Sequence, residues 1–398
     1  MAEIRADRQL HIIGSASVPS AGMKKGLVVD IDAAAAAIRS AATRCQRMAG
    51  APIGRAAVNL SGSHVASFNN RALVSVARPG QEIGPDDVHR AMEAARVVNL
   101  PGDRELVHVL PRQFLVDGYD GIREPLGMMG SRLEVEAHMV TASGAAIQNL
   151  LKAVIRAGLE ADQVILSSLA SAESTLTQAE RENGVILADI GAGTIDAAVL
   201  EGGSPFLTFV LPAGSDYITA DLAMGLRIPL GEAERLKLEY GLLPPGAAGS
   251  SGASGDSILF ELPSAGTGGP RAITASLLLE IIEPRVHEML NLVLAEVRRS
   301  GSGRHLPGGL VLTGGGARLQ GLADWASREF GLPVRVGQPE PPEGLSEAVQ
   351  GPEHALAVGL VQLSLARRSR ARAGAAAAAA AEGPALLARV RDWFRELF

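Results

Sequence analysis

A chain of 398 residues with 47% hydrophobic content can bury a large core and is long enough for two or more domains. Its net charge of −6 gives no global sign of nucleic-acid binding, and its single cysteine, Cys45, excludes an internal disulfide and a cysteine-based zinc site. His287-Glu288 opens a zinc-protease pattern, but Asn291 stands where the second histidine is needed. The first residues lack the apolar stretch of a signal peptide, and no run reaches the roughly 18 apolar residues of a membrane span.

In chain order, His11 to Val18 alternates weakly and predicts a strand, followed by a turn region around Pro19, Gly22 and Gly26. Asp32 to Met48 has helical spacing with Asp32 as the expected N-cap. A strand over Ala56 to Leu60 ends at Ser61-Gly62-Ser63-His64, and strand signals continue from Val65 to Val76. Asp86 to Val97 predicts a helix with Pro85 near its start, and the apolar stretch Val107 to Leu110 precedes Pro111. Leu133 to Thr141 reads as a strand that leads into a helix over Ala142 to Ala157. A short strand, Val164 to Leu166, precedes helical Ala170 to Gln178. Beyond a helix over Ser215 to Leu226, Pro244 to Gly269 is loop-like around a strand at Ile258 to Phe260. Ala275 to Arg299 is a long amphipathic helix, expected to break or kink near Pro284.

Two glycine turns carry the chemistry. Asp189-Ile190-Gly191-Ala192-Gly193-Thr194-Ile195-Asp196 joins two apolar runs and predicts a β-hairpin with almost no side chain at its tip. Backbone N–H groups there can close on phosphate oxygens, Thr194 adds a hydroxyl, and the two carboxylates can hold Mg²⁺ or orient water. The second turn, Thr313-Gly314-Gly315-Gly316-Ala317, follows a strand at Gly309 to Leu312 and is expected to open a helix from Arg318. Strand, glycine turn and helix N-terminus together make an anion-friendly corner. Each turn also fits a purely structural role.

The tail differs in kind. Arg367 to Arg372 leads through an alanine run to Ala385–Phe398, where Leu386, Leu387, Val390, Trp393, Phe394, Leu397 and Phe398 fall on one helical face. That composition, on a low-complexity tether, predicts an interfacial membrane helix driven by apolar burial, with the preceding arginines attracted to anionic lipid. The alternative is a helix that docks back on the core.

Taken together the residues resemble the FtsA family, the actin-like bacterial cell-division proteins. Carrying the resemblance are Ile12-Ile13-Gly14, Pro19-Ser20-Ala21-Gly22-Met23-Lys24-Lys25-Gly26, Leu60-Ser61-Gly62-Ser63-His64, His108-Val109-Leu110-Pro111, Pro125-Leu126-Gly127-Met128-Met129-Gly130 and Ile281-Ile282-Glu283-Pro284-Arg285. It implies an α/β, two-lobed fold of the actin/sugar-kinase ATPase type, with four subdomains around a nucleotide cleft. The expected division is a first-lobe core over 1–55, a family-specific α+β insert over 56–137 and a first-lobe return over 138–165. The second lobe takes 166–214 with the phosphate loop, 215–300 as a peripheral subdomain and 301–366 with the adenosine loop. A linker at 367–384 and the membrane-targeting amphipathic helix at 385–398 complete it.

By the same resemblance Asp189, Gly191, Gly193 and Thr194 form the second phosphate loop, with Asp189 holding Mg²⁺ through water. Gly314, Gly315 and Gly316 form the adenosine loop. Glu234 and Lys237 contact ribose and base, although their spacing also fits an ordinary i,i+3 surface pair. Glu173, with Asp189, is the candidate catalytic residue near the attacking water, and Arg285 is the candidate contact for the FtsZ C-terminal peptide. The implied protein binds ATP and Mg²⁺ and is at most a weak ATPase. It self-associates into filaments, binds FtsZ, later division proteins and membrane lipids but no nucleic acid, and sits on the cytoplasmic face of the membrane at the septum. A PilM-type adaptor and a sugar-kinase-type phosphotransferase are the competing readings; the Ser61 to His64 segment and the terminal helix favour FtsA. One departure stands out: no glycine-rich first phosphate loop precedes His11. The expectation is a true start upstream of Met1, or weak ATP binding and an unpaired edge on the His11 strand.

Overall fold

The computed structural model describes residues 1–4, 10–77, 82–242, 258–262, 271–301, 306–340, 343–344 and 346–365. The tether and the amphipathic segment at 385–398, with every membrane residue named above, lie outside the described residues.

The first lobe opens with β1 (Ala2–Ile4) antiparallel to β2 (Leu10–Ile12), Glu3 opposite His11. On its other side β2 meets the short strand Glu343–Gly344 in parallel. The expected open edge is therefore covered on both sides, and the strand ends at Ile12 rather than Val18. The chain after it lies against the first helix so closely that a Cβ on Gly14 would stand 2.9 Å from the Cys45 carbonyl oxygen. Next, β3 (Met23–Lys24) and β4 (Leu27–Val28) form a tight hairpin. Its two central residues, Lys25 (φ 49) and Gly26 (φ 79), are both left-handed, as a two-residue hairpin turn requires. α1 (Ile31–Ala49) is capped by Asp30, not Asp32: the Asp30 carboxylate accepts from the Asp32 and Ala33 N–H groups at 3.0 Å each. Asp32 sits in the first turn and pairs with Arg156 at 2.6 Å. β5 (Arg55–Leu60) follows.

The insert comprises β6 (Ala66–Ser75), α2 (Pro85–Arg96), β7 (Arg104–Val116), β8 (Tyr119–Ile122) and β9 (Arg132–Ser143). Its strands form one antiparallel sheet in the order β6-β9-β7-β8. Val88 and Met92 of α2 pack on Phe114, Leu133, Val135 and Met139 to make a separate small core. Pro111 does not stop β7. The register against β9 slips between Pro111 and Gln113, and a bulge accommodates a residue that has no N–H to donate. The expected boundaries also shift. β5 does not join this sheet, and β9 carries it on to Ser143, so the unit is displaced several residues along the chain from 56–137.

The chain returns through α3 (Gly144–Arg156) to β10 (Glu160–Leu166), which pairs parallel with β5, Val164 opposite Val58. α4 (Ser167–Thr175) and the short α5 (Gln178–Asn183) then lead into the second lobe. There β11 (Val185–Ile190), β12 (Ile195–Glu201) and β13 (Ser204–Leu211) form a meander. α6 (Asp216–Leu226), α7 (Leu230–Tyr240), the hairpin β14 (Ile258–Leu262) and β15 (Arg271–Thr274), and α8 (Ala275–Arg299) follow. β16 (Leu310–Thr313), α9 (Leu322–Phe330), β17 (Val334–Val336), β18 (Glu343–Gly344) and a helix over 355–365 complete the described chain.

The second-lobe sheet runs β13-β12-β11-β16-β17, with β11, β16 and β17 parallel and the meander antiparallel. Every residue of β11 and β16 is buried because helices cover both faces, which is why both strands read as apolar runs up to Asp189 and Thr313. Ile186, Ala188 and Ile190 face α6 and α8, while Val185, Leu187 and Val311 face α4. α8 passes through Pro284 as a single helix. Its buried stripe of Ile282, Val286, Met289, Leu290 and Val293 holds it in place across the lost hydrogen bond.

The insert closes the outer edge of this sheet. Ser67 Oγ donates to the Thr208 carbonyl at 2.6 Å and accepts from its N–H at 3.1 Å, and Asn69 Nδ2 donates to the Phe206 carbonyl at 3.1 Å. Between them the buried His138 ring bridges Asn69 Oδ1 (2.9 Å) and Thr208 Oγ1 (3.0 Å). Burial, helped by the positive charge of Arg112 and by His108, pushes the His138 pKa down to about 3. The folded protein therefore keeps this ring neutral, whereas the unfolded chain takes up a proton below about pH 6.5. Its stabilising contribution is complete above that pH and is lost as pH falls, by up to about 1.4 kcal/mol per unit. Urea unfolding at pH 7 and pH 5 should show a larger loss for the wild-type chain than for His138→Gln; equal losses would contradict a neutral bridging imidazole.

Candidate functional site

The hairpin turn between β11 and β12 lies at the bottom of a hollow of about 650 Å³ between the lobes. From the second lobe come Asp189, Gly191, Gly193, Thr194, Asp196 and Tyr217; from the first lobe come Lys24, Lys25, Asn59 and Ser61. The antiparallel register sets Asp189 directly opposite Asp196, and the two residues are only 8% and 5% exposed. Ser171 of α4 donates to Asp189 Oδ2. Ser61 Oγ, at the end of β5, donates to Asp196 Oδ2 at 2.8 Å, and Thr194 Oγ1 donates to the same oxygen at 3.0 Å. Asp196 Oδ1 is buried and has no hydrogen-bond partner among the described residues.

Burial raises the Asp189 pKa to about 6 against the lowering effect of the Ser171 hydrogen bond. Burial first, then the Asp189 charge, raises Asp196 to about 7 despite its hydroxyl donors. A buried carboxylate pair with one oxygen left unpaired has the capacity to take up a cation or a proton. Among the described residues no group of three or more His, Cys, Asp or Glu forms a metal cage. The donor set fits Mg²⁺, which keeps its waters and takes only one or two carboxylates beside phosphate oxygens. Asp189 and Asp196 are the residues that would hold such an ion.

A second hollow of about 260 Å³ adjoins the first and shares Ala192 and Asp216 with it. Its walls include Glu234, Lys237, Gly315, Gly316, Arg318 and Glu353. The Glu234–Lys237 pair is only half a surface pair, with the Glu234 side chain 41% exposed and that of Lys237 5%. Lys237 is 4% exposed, and its ammonium reaches Glu234 at 2.6 Å and Thr219 Oγ1 at 2.9 Å. Burial works to raise the Glu234 pKa, but hydrogen bonds from Lys237 and Thr219 outweigh it and hold the carboxyl below its usual value.

The three glycines of the second turn do different work. Gly314 has φ +83, and a Cβ there would collide with Asp189 Oδ1 and the Ile190 carbonyl. At Gly316 a Cβ would collide with the Ile190 side chain. Gly315 has open space where a Cβ would stand. The turn opens into a single 3₁₀ turn, Gly315–Arg318, and the α-helix begins only at Leu322, so no α-helix starts at Arg318.

Two predicted residues lie elsewhere. Glu173 lines neither hollow; its carboxylate pairs with Arg181 at 2.9 Å. Residues 171 and 173 are about 200° apart around a helix, so Ser171 faces the cleft and Glu173 faces α5. Arg285 lines a separate depression of about 360 Å³ with Leu211, Tyr217, Glu288 and Leu292. Its guanidinium is bidentate to Asp221 (2.6 and 3.1 Å) and also pairs with Glu288. Ser61, Asn59, Ser171 and Lys25 were not named as site residues by sequence reasoning. The Ser61 to His64 and Met23 to Gly26 segments were visible only as family stretches.

Two lobes, a β-meander continued by parallel strands, and a polar cleft over the hairpin turn define a protein of the actin-like class. The solved PilM-PilN type IV pilus biogenesis complex superposes with a TM-score of 0.60 at 20% identity, covering 92% of this chain and 94% of that one. Family models match as the SHS2 domain inserted in FtsA over residues 62–141 and as cell division protein FtsA over residues 186–359. The chain is 41% identical to cell division protein FtsA of Pseudomonas aeruginosa, over 92% of this chain and 86% of that protein. It is 35% identical to that of Escherichia coli K12, over 100% and 94%, and 40% identical to that of Bacillus subtilis, over 90% and 79%. The chain belongs to the FtsA family of cell-division proteins.

The buried acid pair carries a stability cost that a neutral side chain removes. Because Asp196 has a raised folded-state pKa, its cost is largest above pH 7 and shrinks as the carboxyl gains its proton below that pH. Asp196→Asn should therefore melt above the wild-type protein at pH 8, by about 2–4 °C for each kcal/mol relieved, with a smaller difference at pH 5. Differential scanning calorimetry at the two pH values checks this, and a variant that melts lower at pH 8 would contradict it.

Proposed function

We propose that this chain is an ATP-binding scaffold that ties FtsZ filaments to the cytoplasmic face of the cell membrane at the septum and recruits later division proteins. The observation that carries the reading is the pair of adjoining hollows, one walled by the hairpin turn and two acids, the other by Glu234, Lys237 and Gly315. Their shared wall at Ala192 and Asp216 suits a ligand with a polyphosphate end and a nucleoside end. Gly191, Gly193 and Thr194 would meet the phosphates, Asp189 and Asp196 the Mg²⁺, and Glu234 and Lys237 the ribose and base. Hydrolysis is weak at most. Filament formation and FtsZ binding are proposed from membership in the family, with Arg285 and the depression beside it as the FtsZ-peptide surface. An acidic peptide there has to compete with Asp221 and Glu288 for the guanidinium.

Gly315 is the sharpest probe of the nucleotide, because it lines the smaller hollow and a Cβ there meets nothing within 4 Å. Gly191 is a poorer one, since a Cβ would stand 3.2 Å from the Thr194 carbonyl inside the turn. Gly315→Val should fold normally and bind ATP about 10-fold or more weakly by isothermal titration. Unchanged ATP affinity would remove the nucleoside from this hollow.

Membrane attachment rests on the one-sided apolar spacing of Leu386, Leu387, Val390, Trp393, Phe394, Leu397 and Phe398. No helix among the described residues is long and apolar enough to cross a membrane. Removing Ala385 to Phe398, or changing Trp393 and Phe394 to Glu, should leave a folded protein that no longer sediments with anionic liposomes. Lipid binding that survives the deletion would return this helix to the core-packing alternative.

A further inference from the structure

The larger hollow holds charges of both signs, and their distribution is uneven. Its carboxylates, Asp189, Asp196 and Asp216, all come from the second lobe, whereas its cationic side chains, Lys24 and Lys25, both come from the β3–β4 hairpin of the first. That hairpin is rigidly placed. A Cβ on Gly26 would stand 2.8 Å from the Gly62 nitrogen, so the turn lies directly on the Ser61–Gly62 backbone, whose serine hydroxyl reaches Asp196. Lys25 in turn lies against the phosphate-type turn: its Cα and N stand 3.4 Å from where a Cβ on Gly193 would be.

The Lys25 ammonium spans the cleft. It donates to the Tyr217 hydroxyl on α6 and lies 5.0 Å from the centre of that ring. A neutral phenol is a weak partner for an ammonium compared with a phosphate oxygen, because charge-assisted hydrogen bonds are about twice as strong as neutral ones. Lysine meets phosphate as a compact point charge on a flexible stem, so it can exchange one acceptor for the other without moving the backbone.

We infer that Lys25 is a polyphosphate ligand of this cleft, held by Tyr217 until a nucleotide arrives and then transferred to the terminal phosphates. The first lobe thereby clamps the phosphates from the side opposite the β11–β12 turn. This assignment rests on the nucleotide reading of the two hollows, and it specifies which side chain supplies the positive charge.

The test is isothermal titration of the full chain at fixed ionic strength with Mg²⁺ and ATP, and separately with adenosine, for the wild type, Lys25→Gln, Lys25→Arg and Tyr217→Phe. Loss of one charge-assisted hydrogen bond predicts that Lys25→Gln binds ATP about 10–100-fold more weakly. Adenosine binding should be unchanged, and Lys25→Arg should keep most of the ATP affinity. Tyr217→Phe, which removes the competing acceptor, should bind ATP as well as the wild type or better. Wild-type binding of ATP with an unaltered Lys25→Gln variant overturns the assignment alone. An equal loss for adenosine and ATP also overturns it, since a phosphate ligand cannot matter to a nucleoside. A wild-type chain that binds no ATP overturns the nucleotide reading and this assignment with it.

Discussion

Two carboxylates facing each other across a buried hairpin are the constraint around which this protein is arranged. Left alone, Asp189 and Asp196 would oppose folding, because each loses hydration and each repels the other. The surrounding fold answers with hydroxyls brought from three places. Ser171 comes from α4, Thr194 from the turn itself, and Ser61 from the end of a first-lobe strand. The last of these means that the acid pair is completed only when the lobes meet. The same pair dictates the second turn, since Gly314 passes so close to Asp189 that no side chain fits between them.

Lobe contact is reinforced far from the cleft. The insert packs Ser67, Asn69 and His138 on the edge strand β13. That edge would otherwise present unpaired backbone groups to solvent. Because β13 belongs to the same meander as the phosphate-type hairpin, the insert is braced on the sheet that carries the acids. Movement between lobes therefore has to bend or slide this contact as well as the cleft.

The sequence made the hairpin legible because its chemistry is contiguous: two apolar runs frame one short polar turn, and period and composition agree. The central strands of the second lobe were equally visible as short apolar runs, whereas its two edge strands, β13 and β17, carried no such signal. What tertiary packing supplies was hidden. Ser61 and Ser171 are unremarkable serines until β5 and α4 deliver them to Asp196 and Asp189. The family resemblance puts Glu173 near the attacking water, yet helical geometry turns it away from the acids and towards Arg181. Glu234 and Lys237 had the spacing of a surface pair, and only the packing of α7 against α6 buries the lysine. Local rules failed in a similar way at Pro111 and Pro284, where a bulge and a buried apolar stripe absorbed residues that usually end an element. The short β1 pairing likewise closed an edge that the sequence left open.

The charge pattern of the cleft narrows the kind of ligand it suits. A lone anion would meet Lys24 and Lys25 but would also face three carboxylates across the hollow. A lone divalent cation would satisfy Asp189 and Asp196 but would leave both lysines without a counter-charge from the ligand. A polyphosphate that carries its own Mg²⁺ presents each wall with the opposite sign, metal towards the acids and outer oxygens towards the lysine hairpin. Such a composite would offer each wall a partner at the same time. Without it, the acid pair stays buried with its pKa values raised on one side, and Lys25 is held by a phenol on the other.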